Sequence, residues 1–497
     1  MKKLINDLNN KSLNIANYLS QYLSTHNSFK LRTFYGESFA LNLLYRHKIL
    51  DEKNKNILIN QYLKKDKSDP EFHFEFNNYA FSDLFKRSED AQYRELYLPL
   101  KFKGTKCTNW TLLRSNVRLI ENVDVILARE EFRSKINNYQ LSSGLILDDV
   151  GVKSFQYHCF SMAMLLEIYE ISMDAEALNS FISGVKFIRN FILKNGDALY
   201  IGRGQEQSFG LGVLIYILSK FYSLTKDQDV LFDIKLVLEF ISKFQYSNGS
   251  FPLVFTGKEN PIPQNVDMNS VEFSGWYPYN NFFDYLPFLG FFLHKAFECL
   301  NQEEVLVLKS ENMQKSTQHN FKDNSFIKVN KDKYSAVLSL PGGYWTNDLP
   351  MPLILYKGNF ITPMLGGEQF QKSLYSLEAL SMPTTRKGNR SWRKLGRGLF
   401  IGNNLIWVSL FGVMLRRYKF YDNNIIIKNY TFSWIKSFQN FSFLSTCKLT
   451  SDAQLISDSY IVKFNSKIHS QQNGYSAMGD LKVIKTSMNI EINLELI

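Results

Sequence analysis

The sequence predicts a multidomain α+β protein: an N-terminal α/α toroid of helical hairpins over residues 1–305, then a C-terminal antiparallel β-sandwich domain over residues 306–497. Three observations carry this. The chain has 497 residues, more than one compact core usually holds. Up to about residue 305 its apolar residues recur at helical spacing, in segments separated by breakers. Beyond about residue 320 the period changes to short apolar runs divided by turn signals. Helices followed by strands, rather than alternating with them, argue for two separate domains.

In chain order, Leu13, Ile15, Ala16, Tyr18 and Leu19 mark a first helical segment, and Phe39, Leu41, Leu43 and Leu44 a second. Further segments run near 109–133, 155–172, 176–194, 207–224, 228–244 and 281–300. Asn195-Gly196-Asp197, Ser247-Asn248-Gly249-Ser250 and Pro261-Ile262-Pro263 break the pattern between them. Many helices joined by turns fit stacked hairpins in an open or closed toroid. In the second half, Tyr334 to Leu340, Leu353 to Tyr356, Leu399 to Ile401, Leu405 to Leu410, Asn424 to Tyr430 and Tyr460 to Phe464 read as strands. Pro341-Gly342-Gly343, Gly402-Asn403-Asn404 and Asp422-Asn423 supply turns. This spacing suits a sandwich or stacked sheets.

Hydrophobic residues at 45% and charged residues at 21% give a globular composition and exclude disorder. The net charge of +11 steers the protein toward polyanions: nucleic acid, anionic lipid or acidic glycan. No zinc-finger spacing or RNA-binding motif is present, which disfavours nucleic acid. Cys107, Cys159, Cys299 and Cys447 form no C-x-x-C pair, so neither a metal site nor a redox motif is expected, and no cofactor is called for. The N-terminus has a basic start but no apolar stretch after it, and no run looks long enough to span a membrane; Tyr285 to Leu293 is too short and holds Pro287. The chain reads as a soluble protein without a recognisable export signal.

Four polar or aromatic clusters stand at predicted helix starts. The first is Thr108-Asn109-Trp110-Thr111, where Thr108 or Asn109 also fits a plain helix cap. The second is Ser154-Phe155-Gln156-Tyr157-His158, after the acidic turn Asp148-Asp149-Val150-Gly151; a structural His158 bonded to a backbone carbonyl is the alternative. The third is Gly202-Arg203-Gly204-Gln205-Glu206-Gln207, either an anion-binding loop at a helix start or a tight turn. The fourth is Trp276-Tyr277-Pro278-Tyr279-Asn280-Asn281, either a sugar-stacking platform or core. In a toroid alternate helices run parallel, so these starts converge on one face. A basic loop in the second domain, with Arg390 and Arg393 flanking Trp392, reads as a clamp over an anionic chain or as a solvated loop.

This ordered set resembles polysaccharide lyases built as an α/α toroid followed by β-sheet domains, among them the hyaluronate/chondroitin and the heparinase II/III-like lyases. The first group carries an Asn, then S-F-x-x-H, then R-G-R; the matching residues here are Asn109, Ser154 to His158, and Arg203 between Gly202 and Gly204. The second group places a Tyr directly before a His, as in Tyr157-His158. Two departures stand out: Gln205 replaces the second Arg, and the first group's tyrosine falls later in the helix, nearest to Tyr169. The resemblance implies β-elimination on a uronate-containing polysaccharide. Asn109 and His158 would neutralise the carboxylate. Tyr157 would move the proton, with Tyr169, Tyr277 and Tyr279 as alternatives. Arg203 would orient the carboxylate. Gln156, Gln205, Glu206, Gln207, Trp276, Tyr277, Tyr279, Asn280, Arg390, Trp392 and Arg393 would contact the chain. Two other readings remain. A hydrolase would need paired carboxylates, for which Asp148, Asp149, Glu206 and Asp284 are candidates. A non-catalytic glycan-binding protein would use the same cleft without turnover.

Overall fold

The structure, a computed structural model, describes residues 1–69, 72–97, 105–255, 282–303, 317–320, 325–340, 352–362, 382–385, 392, 396–445, 450, 454–466, 468–476 and 479–497. Six helices make an inner ring: α2 (Gly36–Arg46), α4 (Phe74–Ser88), α6 (Thr108–Glu121), α8 (Phe155–Ser172), α10 (Ser208–Thr225) and α12 (Phe282–Asn301). Each packs on the next, and α12 packs back on α2, so the toroid is closed. An outer layer is formed by α1 (Lys2–His26), α3 (Glu52–Leu63), α5 (Ala91–Glu95), α7 (Val125–Tyr139), α9 (Ala175–Arg189) and α11 (Gln228–Ser242).

Sequence decides which layer a helix joins. The outer α11 buries one stripe, Val230, Leu231, Ile234, Val237, Leu238 and Ile241, at three-to-four-residue spacing. The inner α10 is apolar all round and buried along nearly its whole length. With 18 residues and mean hydropathy 1.3 it is long and apolar enough to cross a membrane, which corrects the expectation that no segment is; 78% of it is buried inside the protein. Side chains of Asp51, Ser154, Asp174 and Asp227 accept backbone N–H groups at the starts of α3, α8, α9 and α11.

Two differences from the sequence reading have local causes. The segment near 109–133 is two helices, α6 and α7, because Asn122 and Asp124 turn left-handed (φ 54° and 49°) between them. Helix α4 has no clean apolar period: Asn77, Asn78 and Ser82 are buried in it, and Asn77 is held by the Ser38 hydroxyl and the carbonyls of Phe34 and His73. Burying polar residues on hydrogen bonds from other elements erases the pattern that marks a helix.

The second domain holds three antiparallel sheets. The first runs β1 (Thr317–Asn320), β2 (Phe326–Asn330), β3 (Tyr334–Ser339), β4 (Leu353–Tyr356) and β5 (Asn359–Phe360). Its central strands are buried on both faces. Phe326, Val337, Leu353 and Leu355 join the core of the toroid, whereas Ile327, Val329, Ala336, Leu338 and Ile354 join the core of the other sheets. The first sheet is therefore the layer that welds the two domains. The second sheet has seven strands, in the order β12 (Gln454–Ile456), β13 (Tyr460–Asn465), β16 (Ile490–Leu496), β10 (Asn424–Ser433), β9 (Gly412–Phe420), β8 (Asn404–Ser409) and β7 (Gly396–Ile401). The third runs β14 (Ile468–Ser476), β15 (Gly479–Ser487), β11 (Phe438–Ser445) and β6 (Pro383–Thr385). The domain boundary expected at 305 falls among residues 304–316, outside the described residues.

Candidate functional site

The starts of the inner helices meet at one mouth of the toroid. Asp284, in the first turn of α12, accepts the backbone N–H groups of Phe34 (3.0 Å) and Tyr35 (2.8 Å) just before α2. Burial pushes its carboxyl up to about 7. The Tyr35 ring lies 5.7 Å from His73, which precedes α4, and His73 lies 4.8 Å from Trp110 in the first turn of α6. The Thr108 N–H donates to the Asp148 carbonyl at 2.7 Å. The Asp148 carboxylate accepts from Arg203 at 3.1 Å, and the Arg203 guanidinium lies over the Tyr157 ring, 4.8 Å from its centroid.

This stack is built by the loop before α10. Gly202 has φ +87° and pairs with Ser154; a Cβ there would meet the Lys153 carbonyl at 2.0 Å. Only glycine lets the loop close so tightly on the start of α8. The Ser154 hydroxyl donates to the Arg203 carbonyl at 2.6 Å, which fixes the arginine's backbone above Tyr157. Burial raises the Asp148 carboxyl, opposed by the neighbouring Arg203 charge. Next to Ser154, Lys153 reaches the second domain, bonding Ser339 (3.3 Å) and the Leu340 carbonyl. The first sheet therefore packs at this mouth of the toroid.

Asn109 is the second residue of α6, and its side chain caps nothing; Cys107 is the N-cap and makes no side-chain capping bond. The Asn109 side chain is buried and makes no hydrogen bond among the described residues, and its Oδ1 is sealed without a partner. The helix-cap alternative fails here. Thr108 Oγ1 and Asp148 Oδ1 beside it are likewise buried without partners. Buried polar atoms are almost always paired, so three such orphans in one place mark a site prepared for something else.

Several expected site residues play other parts. The Ile146 N–H donates to His158 Nδ1 at 3.1 Å, so Nε2 carries the proton and donates to the Gly184 carbonyl at 3.0 Å. Both nitrogens are spent on backbone inside the core, and burial depresses this imidazole to about 4. His158 is a neutral structural histidine, not a group that can reach substrate. Gln156 and Gln207 are hydrogen-bonded to each other (2.6 Å), and Gln205 donates to the Tyr200 carbonyl (2.6 Å). Glu206 is fully buried beside Asp197, and burial together with that like charge raises its carboxyl well above the usual range. These four side chains scaffold the loop and do not line a cleft. Trp392 is fully buried, 6.1 Å from the Phe438 ring in the core of the second domain, so it is no surface platform. Trp276, Tyr277, Tyr279, Asn280, Arg390 and Arg393 lie outside the described residues. Tyr169 stands in the last turn of α8, at the far end of that helix from Tyr157.

Three of the four hydrolase candidates fare similarly, while Asp149 is half-buried and accepts the Val150 N–H at 2.7 Å. Asp284 clasps the start of α2, Glu206 is sealed, and Asp148 is engaged with Arg203. The sequence reading passed over His73 and Tyr35. Their signal is the one that marked the other clusters: an aromatic or titratable residue immediately before an inner helix, as in Phe72-His73-Phe74.

No protein-family model matches this chain, and no curated protein matches it. Among solved structures, it is similar to heparinase III at 12% identity, over 96% of this chain and 88% of that one, with a TM-score of 0.37. A heparan sulfate lyase HepC mutant from Pedobacter heparinus matches at 10% identity over 88% and 78% of the two chains, with a TM-score of 0.35. A glycosyl hydrolase of family 88 from Bacteroides vulgatus matches at 14% identity over 59% of this chain and 99% of that one, with a TM-score of 0.41.

Proposed function

We propose that this protein is a polysaccharide lyase that cleaves a uronate-containing, acidic polysaccharide by β-elimination at the mouth formed by the starts of the inner helices. The observation that carries this reading is the Asp148–Arg203–Tyr157 stack beside Asn109, whose buried Oδ1 has no partner among the described residues. A guanidinium over a phenol ring favours the phenolate. Tyr157 then removes the C5 proton of the uronate, electrons move into the C4–C5 bond, and the C4–O bond breaks. The departing oxygen takes a proton, which Tyr157 can return, and an unsaturated uronate end remains. Asn109 donates its uncommitted amide hydrogens to the substrate carboxylate and spreads the charge that builds on it. Arg203 pairs with the same carboxylate. His158 takes no part; Trp110, in contact with His73, offers a ring for a sugar face.

The deciding experiment incubates the protein with a panel of acidic polysaccharides and follows ultraviolet absorbance of unsaturated uronate. Its growth, and its loss in Tyr157→Phe, is expected. New reducing ends without the chromophore would mean hydrolysis, and binding without either product would mean a non-catalytic protein.

A further inference from the structure

We propose that the outer face of strands β7 to β10 of the seven-stranded sheet is a second binding surface, an anchor for an anionic polysaccharide chain outside the cleft; the choice of an acidic glycan rests on the function proposed above. On strands β7 to β10 one set of alternate residues is buried in the core and the other points outward. The register lines the outward residues into rows. Val408, Val413 and Phe432 are direct cross-strand neighbours, with Arg397 at the end of their row. Leu399, Ile406, Leu415 and Tyr430 form the next row, and Ile401, Asn404, Arg417 and Lys428 the third.

Outward apolar residues on a sheet are ordinary when scattered and informative when contiguous. Here they touch. Phe432 is 68% exposed, Leu410 70% and Trp434 55%, and the Phe432 and Trp434 rings are 6.2 Å apart. The Trp434 ring is also fixed. Its Nε1–H donates to the Leu410 carbonyl at 2.7 Å and its backbone N–H to the Phe411 carbonyl at 3.2 Å. An exposed ring already held in place costs little ordering when something stacks on it.

Charge selects the occupant. No Asp or Glu occupies an outward position on these four strands, while Arg397, Arg417, Lys419 and Lys428 do. Lys428 is paired with Glu491 at 2.7 Å; Arg397, Arg417 and Lys419 have no ion-pair partner among the described residues. A second copy docking through a two-fold axis would set these cations against their own kind, which disfavours self-association. A glycan chain offers the complement: apolar C–H faces for Tyr430, Phe432 and Trp434, and carboxylates for the flanking arginines.

The test uses the full chain in native gels containing alginate, polygalacturonate, hyaluronate or neutral dextran, across a salt series. We expect at least one acidic polymer, and not dextran, to retard the protein. Phe432→Ala with Trp434→Ala should weaken that binding about ten-fold, since two exposed rings are removed from one contact patch. Arg417→Glu should weaken it further at low salt and leave it alone at high salt. Circular dichroism and turnover of a short acidic oligosaccharide should not change, because both rings are solvent-facing and belong to the second domain, whereas Tyr157 belongs to the toroid. Unchanged retention of the double variant, retention of neither protein by any acidic polymer, or equal binding to dextran would each overturn the proposal. So would loss in the double variant of sedimentation with phosphatidylserine vesicles, or of a concentration-dependent dimer, without loss of glycan binding. The inactive Tyr157→Phe protein should be retained like the wild type. Retention without unsaturated products in the wild type would sink the elimination reading and leave this surface standing.

Discussion

The two mouths of the toroid differ in how they treat buried polar groups. At the mouth where the inner helices end, Glu167 accepts from the Tyr79 hydroxyl (2.9 Å), the Tyr216 hydroxyl (3.2 Å), the Asn116 amide (3.1 Å) and the Lys295 ammonium. Nearby, Arg46 is held by Asp83 (2.6 Å), Glu298 (2.7 Å) and Asn42 (2.8 Å). A cavity of about 760 Å³ opens there, lined among others by Tyr79, Asp83, Glu167, Tyr216, Lys295 and Glu298. At the opposite mouth Asn109, Thr108 and Asp148 each keep a buried oxygen without a partner among the described residues. A cavity by itself would point to the first mouth. At the first mouth most buried polar groups are paired, although Asn116 Oδ1 also lacks a partner among the described residues; the second mouth is favoured because its unpartnered groups, Asn109, Thr108 and Asp148, are clustered.

The contrast can be broken most directly by Tyr157→Phe. The variant keeps the ring under Arg203 and loses one hydroxyl. Turnover should fall about 10²–10⁴-fold, the usual worth of a proton-transfer group, with an unchanged melting temperature. Initial rates of unsaturated-product formation read this; activity within a few-fold of wild type would move the proton transfer to another residue. The opposite mouth should respond in the opposite way. Glu167→Ala strands the Lys295 ammonium in the core and should cost about 3–5 kcal/mol in urea unfolding, while the folded fraction keeps its KM. A lost KM with intact stability would mean that the network binds substrate.

His158 tests the boundary between the two kinds of group. Its folded value of about 4 lies below the ordinary 6.5, so the folded state favours the neutral ring. The stability this gives is full above pH 6.5, is lost as pH falls from 6.5 toward 4, and changes no further below. Over that window it amounts to about 3 kcal/mol. His47, also held to about 4 by burial and by Arg46, adds to the same acid limb. His158→Gln should flatten its share of that limb in denaturation curves taken between pH 4 and 7, and kcat of the folded enzyme should persist. Abolished turnover in a stable variant would return His158 to the chemistry. Asn109 should also matter little for stability. Because its side chain makes no hydrogen bond among the described residues, Asn109→Ala should shift stability by under about 1 kcal/mol. Its turnover should nonetheless drop, and a lower melting point with full activity would make the residue structural.

How much of this could be read in the chain follows from which signals are local. Strands at 353–356, 399–401 and 460–464 are visible because apolar runs and turn residues sit side by side in sequence. The helices from 155 to 244 are visible for the same reason. Helix α4 is not, since its buried Asn77 and Ser82 find partners from other elements. Clusters at the helix starts stand out as unusual residues, and a toroid gathers them at one mouth. Their roles do not follow from that. Tyr157 and His158 are adjacent in sequence, yet successive residues of a helix point about 100° apart. One lies under Arg203 and the other turns into the core toward Ile146 and Gly184. Gln156, Gln205 and Gln207 look equally suited to sugars, and only the closing of the Gly202 loop decides that they bond to each other and to backbone.

The sequence by itself determined the order of the domains, the helical and β character of each, and the helix starts where polar and aromatic residues collect. All of these depend on residues within a few positions of one another. Tertiary structure alone decided that the ring closes, that the first sheet is shared by both cores, that His158 is spent on backbone, and that Asn109 is left unpaired among the described residues. Whether a buried polar atom is satisfied depends on groups 12 to 186 residues away, as the His158–Ile146 and Lys153–Ser339 bonds show, and no local pattern encodes that distance.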